Sequence, residues 1–470
     1  MALPFPDATS REVDAAVRKA AACFLVFRKL DGERRAAYLE GIADGLERDA
    51  SKIVALADSE TALGESRLSM ELARTAAEAR LFADLARLDR WRETRSDDAE
   101  PDRKPFPKPA LRTSNVALGP VVVIGACNFP LAISVVGTDT VSALAVGCPV
   151  VVKAHPGHPA TCAKLAEVAG EAAEKAEIPA GAFSLLQGAA NRVARELVEH
   201  PLTSAVAFTG SLAGGRTLAA FAAARPAPIP FHAEMGSLNP LYVLPGALRE
   251  RGGEIAAGYA GAVILFAGQM CTKPGILVAS DGPDLDAFLA VAASEFRKAP
   301  PVAMLNAVIR DNFEASVASL AERTPVWAES EGTLEPRRNK SACRLFVSQA
   351  EHFRSDPLLR AESFGPASLV LRARDTDELL SLAREAEGSL TATLHVGPGD
   401  DALADDLLPL LERKAGRVLW NGFPPGVLPT PSTHHGGPWP AATDSRHTSI
   451  GLAAYKRFVR PVCRQGFPVA

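Results

Sequence analysis

The chain has 470 residues, 47% of them hydrophobic and 23% charged, so it is long enough for two or three globular domains with sizeable cores. Its formal net charge is only −4, which gives no support for binding to nucleic acid or to an anionic membrane. No apolar run reaches the roughly 18 residues that a membrane-spanning helix needs. The N-terminus lacks the basic start and apolar stretch of a secretory signal, so we expect a cytoplasmic protein.

Residues 10–90 are predicted to be helical. Thr9 and Glu12 have the spacing of a capping box, and apolar residues then recur at helical intervals as far as Phe24. A second amphipathic stretch carries Leu39 to Ile53, and a third runs from about residue 66 to 88. The following segment, PDRKPFPKPALR, has prolines at 101, 105, 107 and 109. Prolines at this density exclude a helix and predict an extended connector or an edge hairpin.

From residue 119, continuous runs of Val, Ile and Leu alternate with helical stretches. The predicted strands are VVVIG at 121–125, VVVKA at 150–154, FSLLQ at 183–187 and then AVAFT. The helices between and after them are predicted from 131, up to about 176, at 191–199 and from Leu212. This alternation is typical of a parallel sheet covered on both faces, which binds ligands at the carboxyl ends of its strands. The residues to consider first are therefore Asn128, Lys153 and the 209–216 loop.

A second α/β segment begins near residue 240 and continues to about 430. It contains LYVL, a long helix at about 250–267 and ILVAS, whereas VGPGDDA at 396–402 is predicted to be a turn or loop. The chain ends in FVRPVCRQGFPVA, which is predicted to form an extended arm. Of the seven cysteines none forms a C-x-x-C motif, so we predict neither a disulfide framework nor a metal site. Six are expected to be buried free thiols, and Cys271 is the exception.

Two segments place polar side chains just after predicted strands. In GACNFP (125–130), the amide of Asn128 is a candidate donor to a developing oxyanion, although an Asx-type turn is an equally ordinary role for it. In VVVKAHPGHP (150–159), Lys153 is a candidate ligand for ribose or phosphate, with a surface lysine as the alternative. His155 and His158 are expected to be loop residues rather than ligands.

A glycine-rich loop, FTGSLAGGRT (208–217), lies between a predicted strand and a helix. Gly210 and Gly215 permit close approach of the backbone, and a helix N-terminus favours phosphate. The loop nearly matches the phosphate loop of nucleotide triphosphatases, but Arg216 replaces the lysine of that motif, and G-x-G-x-x-G occurs nowhere in the chain. A phosphate-loop NTPase and a non-catalytic nucleotide-binding protein remain the alternatives from a different class.

Four further segments carry groups able to do chemistry. In FHAEMGSLNP (231–240), Glu234 between apolar neighbours suits a general base or a hydrogen-bonded structural acid. In FAGQMCTKPG (266–275), Cys271 lies in a polar link between helix and strand, where it is either an accessible nucleophile or a buried thiol. ESFGP (362–366) places Glu362 before a turn. In 434–451, His434 or His435 beside paired glycines lines a pocket or a plain loop.

The order and spacing of these segments resemble the aldehyde dehydrogenase superfamily from about residue 8 to 465. The resemblance implies an α/β fold with a Rossmann-type cofactor domain at 1–100 and 119–234 and an α/β catalytic domain at 235–451. It further implies that 101–118 and 452–470 form a bridging β element between the subunits of a homodimer or homotetramer.

The same resemblance implies roles for individual residues. Cys271 would attack an aldehyde substrate, the side chain of Asn128 and the backbone N–H of Cys271 would hold the oxyanion, and Glu234 would activate water to release the acid. The nucleotide would be bound by residues of three segments, namely Lys153 at the adenine ribose, Ser211 with Gly210, Gly215 and Arg216 at the phosphates, and Glu362 with Phe364 at the nicotinamide ribose. Phe129 and His435 would line the substrate pocket, and no metal is expected. Retention of Glu234 favours water over coenzyme A as the acyl acceptor.

Several stretches are similar to a subgroup, the α-ketoglutarate semialdehyde (2,5-dioxovalerate) dehydrogenases. They are CNFPLAISVVGTDTVSALAVGCPVVVKAHPGHP, GQMCTKPG, NGFPPGV and HHGGPWPAATDSR. This implies oxidation of 2,5-dioxopentanoate to 2-oxoglutarate. A related long-chain fatty aldehyde dehydrogenase shares some of these stretches, so medium- and long-chain aldehydes are the alternative substrates. The carboxylate of the semialdehyde would need a cation, and the sequence does not choose among the arginines.

One departure from the family bears on the cofactor. NAD-preferring relatives carry a glutamate three residues after the strand lysine, where it binds the ribose 2′-hydroxyl, and here that position is Pro156. Without this carboxylate a 2′-phosphate is not repelled, and Lys153 and Arg216 are candidate cations for it. We therefore predict that NADP is accepted and preferred, with NAD as the other cofactor.

Overall fold

The computed structural model describes residues 5–332 and 339–467, and its N-terminal part is helical as predicted. Residues 1–4 of the predicted cofactor domain and 468–470 of the predicted arm lie outside the described residues. The helices are α1 (Ser10–Phe27), α2 (Gly32–Arg48), α3 (Ala50–Thr61) and α4 (Glu65–Arg87). The predicted capping box is confirmed, because Thr9 Oγ1 accepts from Glu12 N and the Glu12 side chain accepts from Thr9 N.

Next come two strands and then a parallel sheet. β1 (Arg95–Asp97) pairs antiparallel with β2 (Leu111–Ala117), so the proline-rich segment forms the tip of a hairpin. The following elements are β3 (Val121–Ile124), α5 (Thr138–Ala145), β4 (Val150–Lys153), α6 (Pro159–Lys175), β5 (Phe183–Leu186), α7 (Asn191–Glu199), β6 (Ala205–Thr209), α8 (Leu212–Ala224) and β7 (Phe231–Glu234). Among the described strands these five form a parallel sheet in the order β5-β4-β3-β6-β7.

The continuous apolar strands of this sheet are buried on both faces, as their composition predicts. Val121 and Val123 pack with α2, α4, α5 and α6, whereas Val122 and Ile124 pack with α1, α7 and α8. Alternate side chains of a strand point to opposite faces, so a strand with helices on both sides needs apolar residues at every position. The sheet order reverses between β3 and β6, which is where such folds form a ligand crevice at the strand carboxyl ends.

The prediction that a helix starts at residue 131 is wrong, because 131–137 forms turns and α5 begins at Thr138. The backbone N–H groups of Leu131 and Ala132 donate to Glu71 Oε1 at 2.8 and 2.9 Å instead of to helical carbonyls. Gly137 then folds back so closely that a Cβ there would overlap the carbonyl oxygen of Ala132. The tight turns hold the segment that follows β3 in an irregular path.

The second half of the chain forms a larger sheet. Its elements are β8 (Leu241–Val243), α9 (Pro245–Ile264), β9 (Ile276–Ser280), α10 (Pro283–Lys298), β10 (Val302–Ala303), α11 (Ala307–Ala321), β11 (Val326–Glu329), β12 (Lys340–Ser341), β13 (Arg344–Gln349), α12 (Ala350–Ser355), β14 (Ala367–Ala373), α13 (Thr376–Glu385), β15 (Ser389–His395), α14 (Asp401–Glu412), β16 (Ala415–Trp420) and β17 (Val459–Gln465). The described strands of the sheet run β11-β13-β14-β9-β8-β15-β16, with β11 antiparallel and the others parallel, while β10 pairs with β12. The predicted loop at 396–402 ends at Asp400, and α14 begins at the next residue.

The predicted extended arm closes a small sheet of its own. β17 pairs antiparallel with β2 along its whole length, giving the order β1-β2-β17 among the described strands. Cys463 is exposed, so the prediction of a buried thiol is wrong at this position. The reason is that β17 is an edge strand of a thin sheet, from which alternate side chains leave toward solvent. The other five cysteines predicted to be buried free thiols are so, namely Cys23, Cys127, Cys148, Cys162 and Cys343.

Over the described ranges, no helix combines the length and the apolar character needed to cross a membrane.

Candidate active site

Three side chains from distant parts of the sequence meet at the carboxyl edge of the first sheet. Glu234 is the last residue of β7, Cys271 lies in the loop between α9 and β9, and His435 lies between β16 and β17. Cys271 Sγ is 3.3 Å from His435 Nε2, which is 3.1 Å from Glu234 Oε1. The sequence placed His435 only as a pocket residue, whereas the structure sets it against the thiol. Thiolate, imidazole and carboxylate also bind zinc, and the absence of a metal here stays a prediction.

His435 reaches this position because the segment 434–451 runs beside β7. Met235 N donates to the carbonyl of Ala441 at 2.8 Å, which fixes the segment along the strand. Ser449 N donates to the carbonyl of His435 at 2.7 Å, and Ser449 Oγ donates to Glu234 Oε2. The two oxygens of the Glu234 carboxylate are therefore held by two different residues of one segment.

The electrostatics of the cluster keep the proton on the sulfur. Burial raises the pKa of Glu234, but the charge and hydrogen bond of His435 and the hydrogen bonds of Ser449 and Cys271 outweigh it, so the pKa ends below its ordinary value. Burial, and then the negative charge of Glu234, raise the pKa of the Cys271 thiol well above its ordinary value. A thiolate therefore forms only when a base takes the proton, and the His435–Glu234 pair is the base in contact with it.

Asn128 is directed at the loop that carries the thiol. Its Nδ2 donates to the carbonyl of Gln269, two residues before Cys271, at 3.1 Å, and the residue is buried. An amide nitrogen carries two N–H groups, so one is available for an oxyanion formed at the neighbouring sulfur. The backbone of Asn128 is held in turn by Arg67, whose Nη2 donates to its carbonyl oxygen. The turn-stabilising role left open by the sequence does not account for the contact with Gln269.

The loop around Cys271 is held by a second asparagine that the sequence analysis did not single out. Asn239 has a φ of 47° and its Nδ2 donates to the carbonyls of Cys271 at 2.8 Å and Lys273 at 3.0 Å. Asparagine is one of the few side chains that enter this left-handed region readily. The position of Asn239 in the loop that follows β7 could have been noticed from the sequence, but its partners could not.

A lysine joins the Cys271 loop to the ESFGP turn. Lys273 Nζ donates to the carbonyls of Ser363 at 2.7 Å and Ala367 at 2.8 Å. Gly268 has a φ of 63°, and a Cβ there would overlap the carbonyl carbon and oxygen of Gly365, so the two segments approach as closely as backbones can. These contacts make the nucleophile loop and the ESFGP turn one packed unit.

Glu362 lies on that turn, close to the thiol. Its carboxylate accepts from the backbone N–H of Ser237 and packs so tightly on Gly236 that a Cβ there would overlap it. Burial raises the pKa of Glu362 to about 7, and burial lowers the pKa of neighbouring Lys273 to about 8. The negative charge of Glu362 also contributes to the raised pKa of Cys271. Phe364 is half-buried in the same turn.

The remaining predicted cofactor residues follow β4 and β6 at the same edge. Lys153 ends β4 as a buried cation with no ion pair among the described residues, and burial lowers its pKa. Ser211 caps α8 by accepting from Gly214 N at 3.2 Å, close to Gly210. Arg216 is exposed near the start of α8, and Gly215 packs against the sulfur of Met235. A capped helix N-terminus and a buried ammonium at the same edge of the sheet suit a dinucleotide phosphate and ribose.

The two histidines after Lys153 are packed rather than available as cations. The rings of His155 and His158 stack with centroids 5.3 Å apart, and His158 Nδ1 lies 3.2 Å from Cys162 Sγ. Burial lowers the pKa of His155 to about 3 and the pKa of His158 to about 4. Both are neutral near pH 7, so neither supplies charge for a phosphate. Pro156 between them is exposed.

A thiol in contact with an imidazole–carboxylate pair, at the carboxyl edge of a parallel sheet, is the arrangement expected of an enzyme with a cysteine nucleophile and a nucleotide cofactor. Comparison with known proteins agrees: the model of the aldehyde dehydrogenase family matches residues 2–438. Alpha-ketoglutaric semialdehyde dehydrogenase 2 of Azospirillum brasilense is 44% identical over 464 residues, 99% of this chain and 88% of its own. Alpha-ketoglutaric semialdehyde dehydrogenase of Acinetobacter baylyi is 42% identical over 462 residues, 98% of this chain and 88% of its own.

Solved structures share the fold. HpcC from Thermus thermophilus superimposes with a TM-score of 0.83 at 23% identity, covering 99% of this chain and 87% of its own. A 1-pyrroline-5-carboxylate dehydrogenase from Thermus with bound NAD gives a TM-score of 0.82 at 22% identity, covering 98% of this chain and 86% of its own. The chain belongs to the aldehyde dehydrogenase family, whose enzymes oxidise aldehydes with NAD(P). This excludes the phosphate-loop NTPase and the non-catalytic nucleotide binder.

Proposed function

We propose that this enzyme oxidises 2,5-dioxopentanoate to 2-oxoglutarate through a thioester on Cys271. The observation that carries the chemistry is the contact of Cys271 Sγ with His435 Nε2 at 3.3 Å, backed by Glu234 at 3.1 Å. The substrate is supported by the two relatives at 44 and 42% identity, both named alpha-ketoglutaric semialdehyde dehydrogenases. The alternative from the same family remains a medium- or long-chain aldehyde.

The first step is capture of the aldehyde. As Cys271 Sγ bonds to the carbonyl carbon, its proton passes to the His435–Glu234 pair, and the carbonyl oxygen gains negative charge. The Asn128 amide and the Cys271 backbone N–H hold that oxygen, and one such donor is worth about 3–4 kcal/mol. The product of this step is a thiohemiacetal on Cys271. Lys153, Ser211 and Glu362 would hold a nucleotide whose nicotinamide would supply the hydride acceptor, and loss of the hydride from this carbon leaves a thioester on Cys271.

The second step is hydrolysis of the thioester. Glu234 remains ionised because its pKa lies below the ordinary value, so it can accept a proton from water. Water attacks the acyl carbon, the carbon–sulfur bond breaks, and Cys271 regains a proton as the acid leaves. Ser449, which donates to Glu234 Oε2, keeps the carboxylate oriented while Oε1 faces His435 and the thiol.

A substrate panel tests the proposed substrate. We expect kcat/KM for 2,5-dioxopentanoate to exceed that for hexanal and longer aldehydes, because the relatives at 44 and 42% identity are both named alpha-ketoglutaric semialdehyde dehydrogenases. Steady-state rates of NAD(P)H formation on each aldehyde measure this directly. A higher kcat/KM for the fatty aldehydes would replace the proposed substrate by the alternative.

We also propose that NADP is the preferred cofactor. Pro156 supplies no carboxylate to repel a 2′-phosphate, while Lys153 is a buried cation without an ion pair in the described part of the chain and Arg216 is exposed nearby along α8. We expect a kcat/KM for NADP at least several-fold above that for NAD. The Pro156→Glu variant should reverse the order, because it restores a negative charge beside the ribose. A strong NAD preference in the unchanged enzyme would refute the proposal.

Localisation, assembly and domain division are further proposals. We propose a cytoplasmic homodimer or homotetramer with the cofactor domain at 1–100 and 119–234 and the catalytic domain at 235–451. Its subunits meet at the bridging element 101–118 and 452–470, which contains β2 and β17 of the small sheet. The outer strands of that small sheet have edges available for pairing, which supports an assembly role.

A further inference from the structure

One face of α4 carries four buried or half-buried charges. Arg67, Glu71, Arg74 and Glu78 are spaced by three and four residues, so they lie along one side of the helix. This face packs against the segment 128–138, which begins at Asn128. Burying charges in a protein is costly unless each is paired or hydrogen-bonded, so the partners of the four side chains are informative.

The two carboxylates have partners in the segment they face. Glu71 Oε1 accepts from the backbone N–H groups of Leu131 and Ala132. Glu78 accepts from Thr138 Oγ1 at 3.1 and 3.0 Å through its two oxygens. Both carboxylates therefore have a structural role, holding the turns that follow β3.

Arg67 is held by Asn128 and two aromatic rings, although its Nε and Nη1 have no hydrogen-bond partner among the described residues. Its guanidinium lies 4.8 Å from the ring centroid of Phe129 and 4.3 Å from that of Phe266, and Nη2 donates to the carbonyl of Asn128. Only 5% of the residue is exposed. Because Asn128 uses Nη2, Arg67 does not offer Nε and Nη2 together, and its contacts make it a positioning residue for Asn128.

Arg74 is different, because its hydrogen-bonding edge is unused. Nε and Nη2 are buried and have no hydrogen-bond partner among the described residues. The nearest carboxylate oxygen, Glu78 Oε2, is 3.9 Å from Nε, too far for a hydrogen bond. Nε and Nη2 lie on one edge of the guanidinium and form the two-pronged donor that fits a carboxylate. Although 22% of the side chain is exposed, Nε and Nη2 themselves are closed to solvent, so a carboxylate reaches this edge only when neighbouring side chains move aside.

The charge of Arg74 acts on the nucleophile, and its helix face supports the segment that carries Asn128. Burial and Glu234 raise the pKa of Cys271, and the positive charge of Arg74 acts on the same thiol in the opposite direction. Arg74 is therefore within electrostatic reach of Cys271, on the face of α4 that supports the Asn128 segment.

We propose that Arg74 binds the carboxylate of the aldehyde substrate through Nε and Nη2, and so selects short aldehydes that carry a terminal carboxylate. This inference rests on the proposed substrate. In it the aldehyde end of the five-carbon chain lies at Cys271 and Asn128, and the acid end lies at α4. Bidentate pairing would supply the partner that the Arg74 edge lacks.

Arg417 is the competing cation, since its charge also interacts with Cys271. Its Nη1 donates to the carbonyl of Gly426 at 2.9 Å and its Nη2 to that of Pro424 at 2.6 Å. Only Nε is left without a partner, so Arg417 cannot offer two parallel hydrogen bonds. It serves instead to hold the 424–426 loop.

The test compares 2,5-dioxopentanoate with pentanal, which has the same length but no carboxylate. In Arg74→Met we expect kcat/KM for the semialdehyde to fall about 30- to 100-fold, chiefly through KM, with pentanal unchanged or improved. Arg74→Lys should keep part of the preference for the semialdehyde over pentanal, because it retains the positive charge but not the two-pronged donor. Arg67→Lys is the matched control. It should lower kcat/KM for both aldehydes by the same factor, since Arg67 acts through Asn128. Thermal unfolding of each variant establishes that it is folded.

The outcomes separate the two proposals. Wild-type enzyme that prefers pentanal would overturn the proposed substrate itself. Suppose that the wild-type enzyme prefers the semialdehyde. An Arg74→Met variant in which kcat/KM changes equally for both aldehydes, or for neither, would then overturn only the role of Arg74. A fall in kcat/KM for the semialdehyde alone in Arg417→Met, and not in Arg74→Met, would also overturn the role of Arg74. It would assign binding of the substrate carboxylate to Arg417.

Discussion

Replacement of Cys271 by alanine is expected to abolish NAD(P)H formation while leaving cofactor binding intact. The thiol is the nucleophile in contact with the His435–Glu234 pair, and neither member of that pair can replace it in forming the thioester. Loss of a nucleophile of this kind lowers kcat by roughly 10⁴-fold or more. Absorbance of the reduced cofactor measures turnover, and fluorescence titration with NADPH measures binding.

The matched control for this variant is Cys463→Ala, which removes a thiol exposed on β17 far along the chain from the site. It should retain wild-type turnover. Turnover of Cys271→Ala at the wild-type rate, with Cys463→Ala behaving identically, would rule out the covalent mechanism.

Glu234→Gln is expected to separate the two chemical steps. The amide cannot take a proton from water, so hydrolysis of the thioester should slow by about 10²–10⁴-fold. With no carboxylate left to share its proton, a neutral His435 can accept the thiol proton at Nε2, 3.3 Å from the sulfur, so capture and hydride transfer should continue. We therefore expect a burst of one NAD(P)H per active site followed by very slow turnover, as seen in stopped-flow absorbance.

Two neighbouring variants sharpen the assignment to Glu234. His435→Gln removes the group in contact with the sulfur and should slow the burst itself. Ser449→Ala removes only the hydrogen bond to Glu234 Oε2, so its steady-state rate should fall by no more than about tenfold. A Glu234→Gln enzyme with full steady-state turnover would exclude Glu234 as the base for hydrolysis.

Much of the fold follows from local sequence signals. The runs at Val121–Ile124 and Val150–Lys153 are apolar at nearly every position because helices cover both faces of the sheet, and this pattern is visible in the sequence. The start of α1 was also predictable, since its capping box lies within four residues. The turns at 131–137 were not, because they depend on Glu71, which is about 60 residues away in the chain.

The candidate site was predicted only in part, because some of its contacts join residues that are far apart in the sequence. Asn128, Glu234 and Cys271 lie in recognisable motifs, whereas the role of His435 depends on a contact with Glu234 across 201 positions of sequence. Arg67 and Arg74 fall in a helix whose alternating charges are typical of a solvated surface. Only the packing of the 128–138 segment against α4 reveals that these charges are buried.

The most direct measurement is peptide mass spectrometry of Glu234→Gln enzyme quenched with acid during the reaction with 2,5-dioxopentanoate and NADP. The account predicts that the peptide containing Cys271 carries the added mass of a 2-oxoglutaryl group, in proportion to the NADPH formed in the burst. NADPH formation with no acyl group on Cys271, or with the acyl group on another cysteine, would contradict it.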